Sequence, residues 1–167
     1  DTYLNSKVIN EPVRLFDASP ICDGSAAVIL ANAKVAAQAR AAGIPTVRVR
    51  ASAIAIDNVA IDDRKEPLIP SGVVASSQRA YAQAGLGPED MDIFELHDAY
   101  TIMSILSLEG SGFAQPGEGW KLGQDDTLTL AGKLPIATFG GLKSRGHPVG
   151  ATGVYQIVET YLQLTDQ

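Results

Sequence analysis

The chain has 167 residues, of which 46% are apolar and 19% are charged, and its formal net charge at pH 7 is −6. A chain of this length forms one ordinary domain and can bury a core without a disulfide or a structural metal. Because an acidic chain matches poorly with the phosphates of nucleic acid, we expect no nucleic-acid partner. A small anionic ligand that needs only a local basic patch is still compatible with this charge.

Cysteine content and hydropathy exclude further classes of protein. Cys22 is the only cysteine, so an internal disulfide and a Cys-x-x-Cys metal site are both excluded, and we expect no metal. No apolar run approaches the ~20 residues that a membrane span requires, and no signal sequence opens the chain. We therefore expect a cytoplasmic protein without a membrane partner. The start at Asp1 and the end just after a predicted helix lead us to expect a cut chain.

The predicted elements alternate between strands and helices. Runs rich in β-branched residues predict strands, and runs of helix formers closed by glycine or proline predict helices. In chain order these are a short strand at 13–16, a buried strand at 26–30, a helix at 33–42, a strand at 46–56, a helix at 72–84, a strand at 91–96, a helix at 98–108 capped by Asp98, a strand at 134–139 and a helix at 151–164. This order predicts α/β layers with helices packed on a sheet.

A glycine-rich stretch, residues 110–133, shows little periodicity and is predicted to be a long loop excursion. Trp120 in this stretch is either the anchor of a lid or a contact to a second subunit, and its sequence context does not separate the two. Cys22 has no basic neighbour in sequence that would lower the pKa of a reactive thiol, so we interpret it as a small packing residue.

The two histidines of the chain occupy related positions. His97 follows the predicted strand at 91–96, and His147 lies in the loop after the predicted strand at 134–139. Ligands of α/β proteins bind outside the carboxyl ends of strands, and histidine is the usual proton-transfer residue near neutral pH. The alternative is that each is a capping or loop histidine without a role in chemistry.

The loop that carries His147 is the densest signal in the sequence. Its glycines allow a ligand to approach the backbone closely, and Lys143 and Arg145 are expected to supply positive charge, together with the start of the next helix. The spacing of Gly141 and Gly146 is that of a phosphate-binding P-loop, but the lysine and hydroxyl that should follow are His147 and Pro148. A nucleotide-binding loop of that type is therefore excluded.

Several segments resemble thiolases. Residues 140–153, GGLKSRGHPVGATG, resemble the thiolase histidine loop, and residues 95–100, ELHDAY, are similar to the Asn-Glu-Ala-Phe motif of ordinary thiolases. The His-Asp form of that motif is similar to the branch that contains sterol carrier protein thiolases and archaeal acetoacetyl-CoA thiolases. Residues 17–27 resemble the segment before the last strand of the N-terminal half, and residues 117–122 resemble a loop of the same branch.

The resemblance implies an α/β, thiolase-like layered fold with a mixed sheet packed between helices, of which this chain would be an incomplete C-terminal half. Residues 1–45 would end the N-terminal half of the thiolase. Residues 46–167 would form the C-terminal domain, with the loop excursion at 110–133, truncated before the final strands. Thiolases also imply a homo-oligomer, and this branch implies an accessory subunit of the OB-fold type.

The activity implied is that of an acyl-CoA thiolase, either Claisen condensation or thiolytic cleavage of a 3-oxoacyl-CoA. Coenzyme A thioesters are then substrates, and no other cofactor is implied. His147 matches the histidine that activates the nucleophile and helps to hold the thioester oxygen, and His97 matches the position that completes the oxyanion site. Ser19, Tyr100 and Gly146 fall at positions expected to bind substrate.

The resemblance also implies what this chain lacks. The nucleophilic cysteine of the family would fall upstream of Asp1, and Cys22 lies in a different segment and does not replace it. The residue used for enolisation would fall beyond Gln167. The fragment alone is therefore expected to be inactive. Two alternatives stay open: an aldolase of steroid side-chain degradation, in which Tyr100 transfers a proton, and a noncatalytic subunit that binds acyl-CoA or scaffolds a partner. The intact His147 loop argues against the aldolase.

Overall fold

The computed structural model describes residues 2–167, which contain one small hairpin and five α-helices. Strands β1 and β2 pair antiparallel near the start of the chain. The elements are β1 (Val8–Asn10), β2 (Val13–Arg14), α1 (Ala33–Ala41), α2 (Ser71–Ala84), α3 (Thr101–Gly110), α4 (Gly141–Arg145) and α5 (Thr152–Leu164). The four helices predicted from sequence correspond to α1, α2, α3 and α5. Helix α4 lies inside the predicted loop that carries His147.

Local signals explain where the first helices begin and end. The side chain of Asn32 accepts a hydrogen bond of 3.0 Å from the backbone N–H of Val35 and so caps α1. Helix α2 ends at Gly85, whose φ of 68° lies in the left-handed region that glycine adopts without strain. These signals are local in sequence, which is why the bounds of both helices could be predicted within about one residue.

The predicted strands pair less than their sequences suggest. Segments 91–96 and 134–139 lie side by side, but their pairing is one isolated parallel bridge between Phe94 and Ile136. Segments 26–30 and 46–56 form no ladder within residues 2–167, so the prediction of paired strands there is wrong. Ile29 and Ile54 are 95% and 82% exposed, and α2 contacts segment 46–56 through hydrogen bonds such as that from Arg79 to the carbonyl oxygen of Ile54.

The predicted cap of the third helix is also wrong. Helix α3 begins at Thr101, and its N-cap residue is Tyr100, whose side chain makes no capping hydrogen bond. Asp98 instead accepts a hydrogen bond of 2.8 Å from the backbone N–H of Leu142. A donor that is distant in sequence therefore takes the carboxylate that local capping rules assign to the helix.

The buried core is small and lies between α3 and the two bridged segments. Its centre is formed by Leu96, Leu108 and Leu134. The loop excursion packs against this core through Phe113, Leu122 and Leu128, so it covers apolar surface and is not merely a solvated loop. Trp120, by contrast, is half-exposed, which is compatible both with a lid anchor and with a contact to a second subunit. In residues 2–167 no helix has the length and apolar character needed to cross a bilayer.

Candidate active site

The two histidine side chains lie against each other. The centroids of the His97 and His147 rings are 4.9 Å apart, and the ring planes meet at 80°. The parallel bridge between Phe94 and Ile136 directs the two following chain segments toward the same edge. The structure thus brings together the two residues that the sequence singles out for catalysis, and their chemical roles stay predictions.

Contacts from two other segments hold His147 in place. Its backbone N–H donates to the carbonyl oxygen of Pro20 at 2.9 Å, and Nδ1 of its ring lies 2.7 Å from Oγ1 of Thr152. Thr152 is only 1% exposed, so its hydroxyl has little freedom to turn away. With Nδ1 engaged, Nε2 is the ring nitrogen left for a ligand. This contact of Thr152 is not predicted from the sequence, although the residue lies within the glycine-rich motif at 140–153.

The surroundings of His97 favour its neutral form. Loss of water around the ring lowers the pKa of His97 below its ordinary value, and the nearby His147 lowers it further, while Asp98 acts in the opposite direction. The residue as a whole still keeps contact with solvent. A neutral imidazole carries one N–H and one free lone pair, so near neutral pH this ring can donate one hydrogen bond and accept another.

Asp98 connects the His97 segment to the histidine loop. Its side chain is buried and accepts the N–H of Leu142. Gly141 has a φ of +58°, and a Cβ atom there would collide with Oδ2 of Asp98. Glycine is therefore required at this position both by the backbone and by the close approach of the carboxylate. These contacts pack the start of α4 against Asp98, the residue next to His97.

Arg145 does not provide the ligand-binding charge expected from the sequence. Its Nε lies 2.6 Å from Oε1 of Glu159, and its guanidinium carbon is 4.5 Å from the centroid of the Tyr155 ring. Only 17% of its side chain is exposed, so the guanidinium faces inward. Lys143 donates a hydrogen bond of 3.1 Å to Oγ1 of Thr101. The basic patch is thus smaller than the sequence predicts, because an internal carboxylate engages one of its two cations.

The predicted substrate-binding residues lie next to the histidines along the backbone. The backbone N–H of Ser19 donates to the carbonyl oxygen of Ala99 at 2.9 Å, and Ala18 pairs with Tyr100 in an isolated antiparallel bridge. Tyr100 is half-exposed, whereas Gly146 is buried. The segment before Cys22 therefore contacts both histidine-bearing segments. Binding of substrate by Ser19, Tyr100 and Gly146 stays a prediction.

Cys22 lies closer to the histidine loop than its sequence context suggests. A Cβ atom at Gly146 would lie 2.6 Å from Sγ of Cys22, so the thiol packs directly against the loop backbone. The partly buried thiol fills space there. Among residues 2–167, no group of three or more histidine, cysteine or acidic side chains is placed to hold a metal ion.

We expect Cys22→Ser in the full-length gene product to keep kcat within a few-fold of the wild type, because serine preserves the packing volume. Steady-state kinetics with an acyl-CoA substrate measure this. A thousandfold loss of kcat in a variant with an unchanged circular dichroism spectrum would show instead that the thiol takes part in the chemistry.

Comparison with known proteins adds a family match. The family model described as thiolase C-terminal domain-like matches residues 53–167. The chain is 40% identical, over 98% of its length, to an acetyl-CoA acetyltransferase of Methanothermobacter thermautotrophicus, and covers 42% of that protein. It is 33% identical, over 95% of its length, to sterol carrier protein 2 of Bos taurus, and covers 30% of that protein.

A solved structure is similar over nearly the whole chain. The Ltp2-ChsH2(DUF35) aldolase superposes with a TM-score of 0.76 at 25% sequence identity, and the match covers 96% of this chain and 41% of the other. The chain thus spans about two-fifths of the length of this structure and of the archaeal relative.

Proposed function

Because this chain belongs to the thiolase C-terminal domain-like family, we propose that it forms part of an acyl-CoA thiolase, which makes or breaks the carbon–carbon bond of a 3-oxoacyl-CoA. The thiolase-like α/β fold expected from the sequence is confirmed by the family match and by the similar solved structure. The observation that carries the functional proposal is the pair of imidazole rings, with centroids 4.9 Å apart. The relatives named acetyl-CoA acetyltransferase support the same reaction class.

The two imidazoles act on the thioester carbonyl of the acyl-CoA that becomes a carbon nucleophile. Removing a proton from the carbon beside this carbonyl moves negative charge onto the oxygen. Two hydrogen-bond donors that are already in place stabilise that charge without reorganisation. The neutral form of His97 and the hydrogen bond that orients His147 both suit such a role. His147 also serves to activate the nucleophile of the acyl-transfer step.

The acyl group itself is carried by a cysteine thiolate, which the resemblance places outside these residues. In the condensing direction, the enolate carbon attacks the acyl-cysteine thioester, the new carbon–carbon bond forms, and the cysteine leaves as a thiolate. In the cleaving direction the same bond breaks, and coenzyme A then takes the acyl group from the cysteine. These residues supply the oxyanion donors but not the acyl-carrying cysteine, so the reaction requires the full-length protein.

The assay that tests this proposal is thiolysis of acetoacetyl-CoA by the full-length gene product in the presence of free coenzyme A. We expect acetyl-CoA to form in a two-to-one ratio to the substrate consumed, because both carbon fragments leave as thioesters. A folded full-length protein that produces no acetyl-CoA from acetoacetyl-CoA or from a longer 3-oxoacyl-CoA would contradict the proposal.

A second candidate is aldol cleavage, which the similarity to the Ltp2-ChsH2(DUF35) aldolase favours. Tyr100 would then transfer a proton, and its half-exposed side chain at the start of α3 is accessible for that purpose. The two reactions differ in their need for a co-substrate. Thiolysis consumes free coenzyme A, whereas retro-aldol cleavage of a 3-hydroxyacyl-CoA does not. Assays of both substrates with and without coenzyme A therefore separate the thiolase, the aldolase and a noncatalytic acyl-CoA-binding subunit.

The partners are part of the same proposal. The name of the similar solved structure pairs two proteins, which supports an accessory subunit of the OB-fold type for this protein also, alongside a homo-oligomer and a CoA thioester substrate. Cytoplasmic location likewise stays a proposal. Size-exclusion chromatography with light scattering of the full-length product, alone and after co-expression with its neighbouring genes, measures the assembly.

A further inference from the structure

Three charged side chains, Glu95, Arg145 and Glu159, lie together behind the two histidines. Glu159 is only 3% exposed, and its carboxylate contacts the Arg145 guanidinium at 2.6 Å. The N–H of Arg145 does not point at that oxygen, so the contact is an ion pair without an aligned hydrogen bond. Glu95 Oε1 accepts hydrogen bonds of 2.8 and 3.0 Å from the N–H and hydroxyl of Thr138.

This cluster connects to both histidine-bearing segments. Glu95 lies two residues before His97, and Arg145 lies two residues before His147. Glu159 lies on α5, seven residues after Thr152, so both side chains project from one face of that helix. Gln156, between them on the same face, donates a hydrogen bond to the carbonyl oxygen of Leu96. One face of α5 thus contacts the loop of His147 and the segment of His97.

The cluster is costly as a purely structural element. Within residues 2–167, Oε2 of Glu95, the guanidinium nitrogens of Arg145 and both carboxylate oxygens of Glu159 are buried without a hydrogen-bond partner. Buried charges with poor hydrogen bonding oppose folding, and apolar residues of similar volume would stabilise this region better. A role in placing the site accounts for charges that stability alone does not favour.

We propose that Glu159 is a positioning residue, which sets the separation of the two imidazoles by holding Arg145 of the histidine loop on α5, the helix whose Gln156 contacts the His97 segment at Leu96. This positioning role deepens the proposed function, and only its kinetic test depends on that function. Glu159 touches neither histidine and neither substrate in this scheme. Its effect reaches His147 through Arg145 and Gly146, which directly precede His147 in the loop.

Titration of Glu159 supports this assignment. Burial raises the pKa of Glu159 to about 7, helped by Glu95, which can share a hydrogen bond with the protonated form and repels the anion; Asp98 adds to the rise, and Arg145 opposes it. The ring of Tyr155 also faces the guanidinium. When Glu159 is protonated, the shared proton can lie between the two carboxyls, and the attraction to Arg145 weakens. The hold on the histidine loop therefore tightens as pH rises through about 7.

The effect on stability has the opposite sign. A carboxyl whose pKa is raised on folding stabilises the folded state most below its unfolded pKa, and that contribution is lost as pH rises through the folded pKa. Glu159 therefore lowers the free energy of unfolding between its ordinary value of 4.5 and about 7. In Glu159→Gln this part of the pH dependence should disappear, because glutamine does not titrate.

The test compares Glu159→Gln with wild type and with Glu118→Gln as the matched control. Glu118 is half-exposed and forms its ion pair with Lys121, so its substitution removes an acidic side chain that is not part of the cluster of Glu95, Arg145 and Glu159. In the full-length protein we expect Glu159→Gln to lower kcat up to about 100-fold with little change in KM, since small displacements of catalytic groups cost rates of this order. We also expect kcat of wild type and of Glu118→Gln to rise near pH 7, and kcat of Glu159→Gln to lack this rise.

Crystal structures of wild type and Glu159→Gln give a readout that does not need activity. We expect the His147 ring to move away from His97 in the variant. Unmoved imidazoles, or an unchanged kcat at every pH, would overturn the assignment.

If Glu159→Gln does not fold, the double variant Glu159→Gln/Arg145→Gln removes both charges and should fold with the same loss of kcat. A wild-type kcat in the double variant would equally overturn the assignment. A wild-type protein without thiolysis would contradict the proposed function, while the crystal structures would still decide the positioning role.

Discussion

Replacing His147 by alanine is expected to lower kcat of the full-length protein by about 10²–10³-fold, equivalent to about 2.7–4 kcal/mol of transition-state stabilisation. In the proposed reaction the charge on the thioester oxygen develops only in the transition state, so KM should change much less than kcat. The substitution should lower kcat more than His97→Asn does, because in the proposed mechanism His147 also activates the nucleophile, whereas asparagine at position 97 keeps a hydrogen-bond donor. Steady-state kinetics of both variants measure the difference.

Thr152→Val is the matched control for this prediction. It removes the hydroxyl that lies 2.7 Å from Nδ1 of His147 but keeps the imidazole and a β-branched side chain. We expect an intermediate loss of kcat, because the ring is still present but no longer held in one orientation. A His147→Ala enzyme with the wild-type kcat would refute the catalytic assignment and leave His147 as a loop residue without a role in chemistry.

Gly146→Ala is the second substitution with a large expected effect. Gly146 has a φ of +104°, and a Cβ atom there would lie 2.6 Å from Sγ of Cys22. Residues other than glycine pay on the order of 1–3 kcal/mol for such a backbone conformation. We expect the free energy of unfolding to fall by at least this amount, and kcat to fall with it because His147 is the next residue. Denaturant unfolding and thiolysis measure the two effects.

Two further variants separate the causes of the Gly146→Ala effect. Adding Cys22→Ala removes Sγ and leaves the Cys22 Cβ at 3.3 Å, so part of the stability should return while the backbone strain stays. Gly150→Ala in the same loop is the control, since a Cβ there meets nothing within 4 Å and its φ is not in the left-handed region. If Gly146→Ala were as stable as Gly150→Ala, this account of the loop would be wrong.

The parts of the fold that depend on local chemistry could be predicted from the sequence. Gly85 marks the end of α2, and the glycine-rich motif marks the loop that carries His147. Strand pairing depends on distant partners, which is why segment 46–56, rich in valine and isoleucine, was predicted as a strand although it pairs with nothing in residues 2–167. The resemblance to thiolases identified the family that the comparisons then confirmed.

In the candidate site, too, some features could be predicted from the sequence, whereas those that depend on distant partners could not. The pairing of His97 with His147 could be predicted because both follow segments that end at one edge. The partners of Asp98 and Arg145 could not, because a donor 44 residues away in sequence takes the carboxylate and a buried glutamate takes the guanidinium. Glu159 is an ordinary polar residue in the sequence of a helix, and only its burial reveals it.

A crystal structure of the full-length protein with a non-reactive acyl-CoA analogue tests the central claim most directly. We expect the thioester oxygen to lie between the two imidazoles, within the roughly 2.6–3.2 Å of a hydrogen bond to His147 and within the same distance, or one bridging water, of His97. A thioester oxygen bound on another face, with neither imidazole within reach of it, would contradict the account.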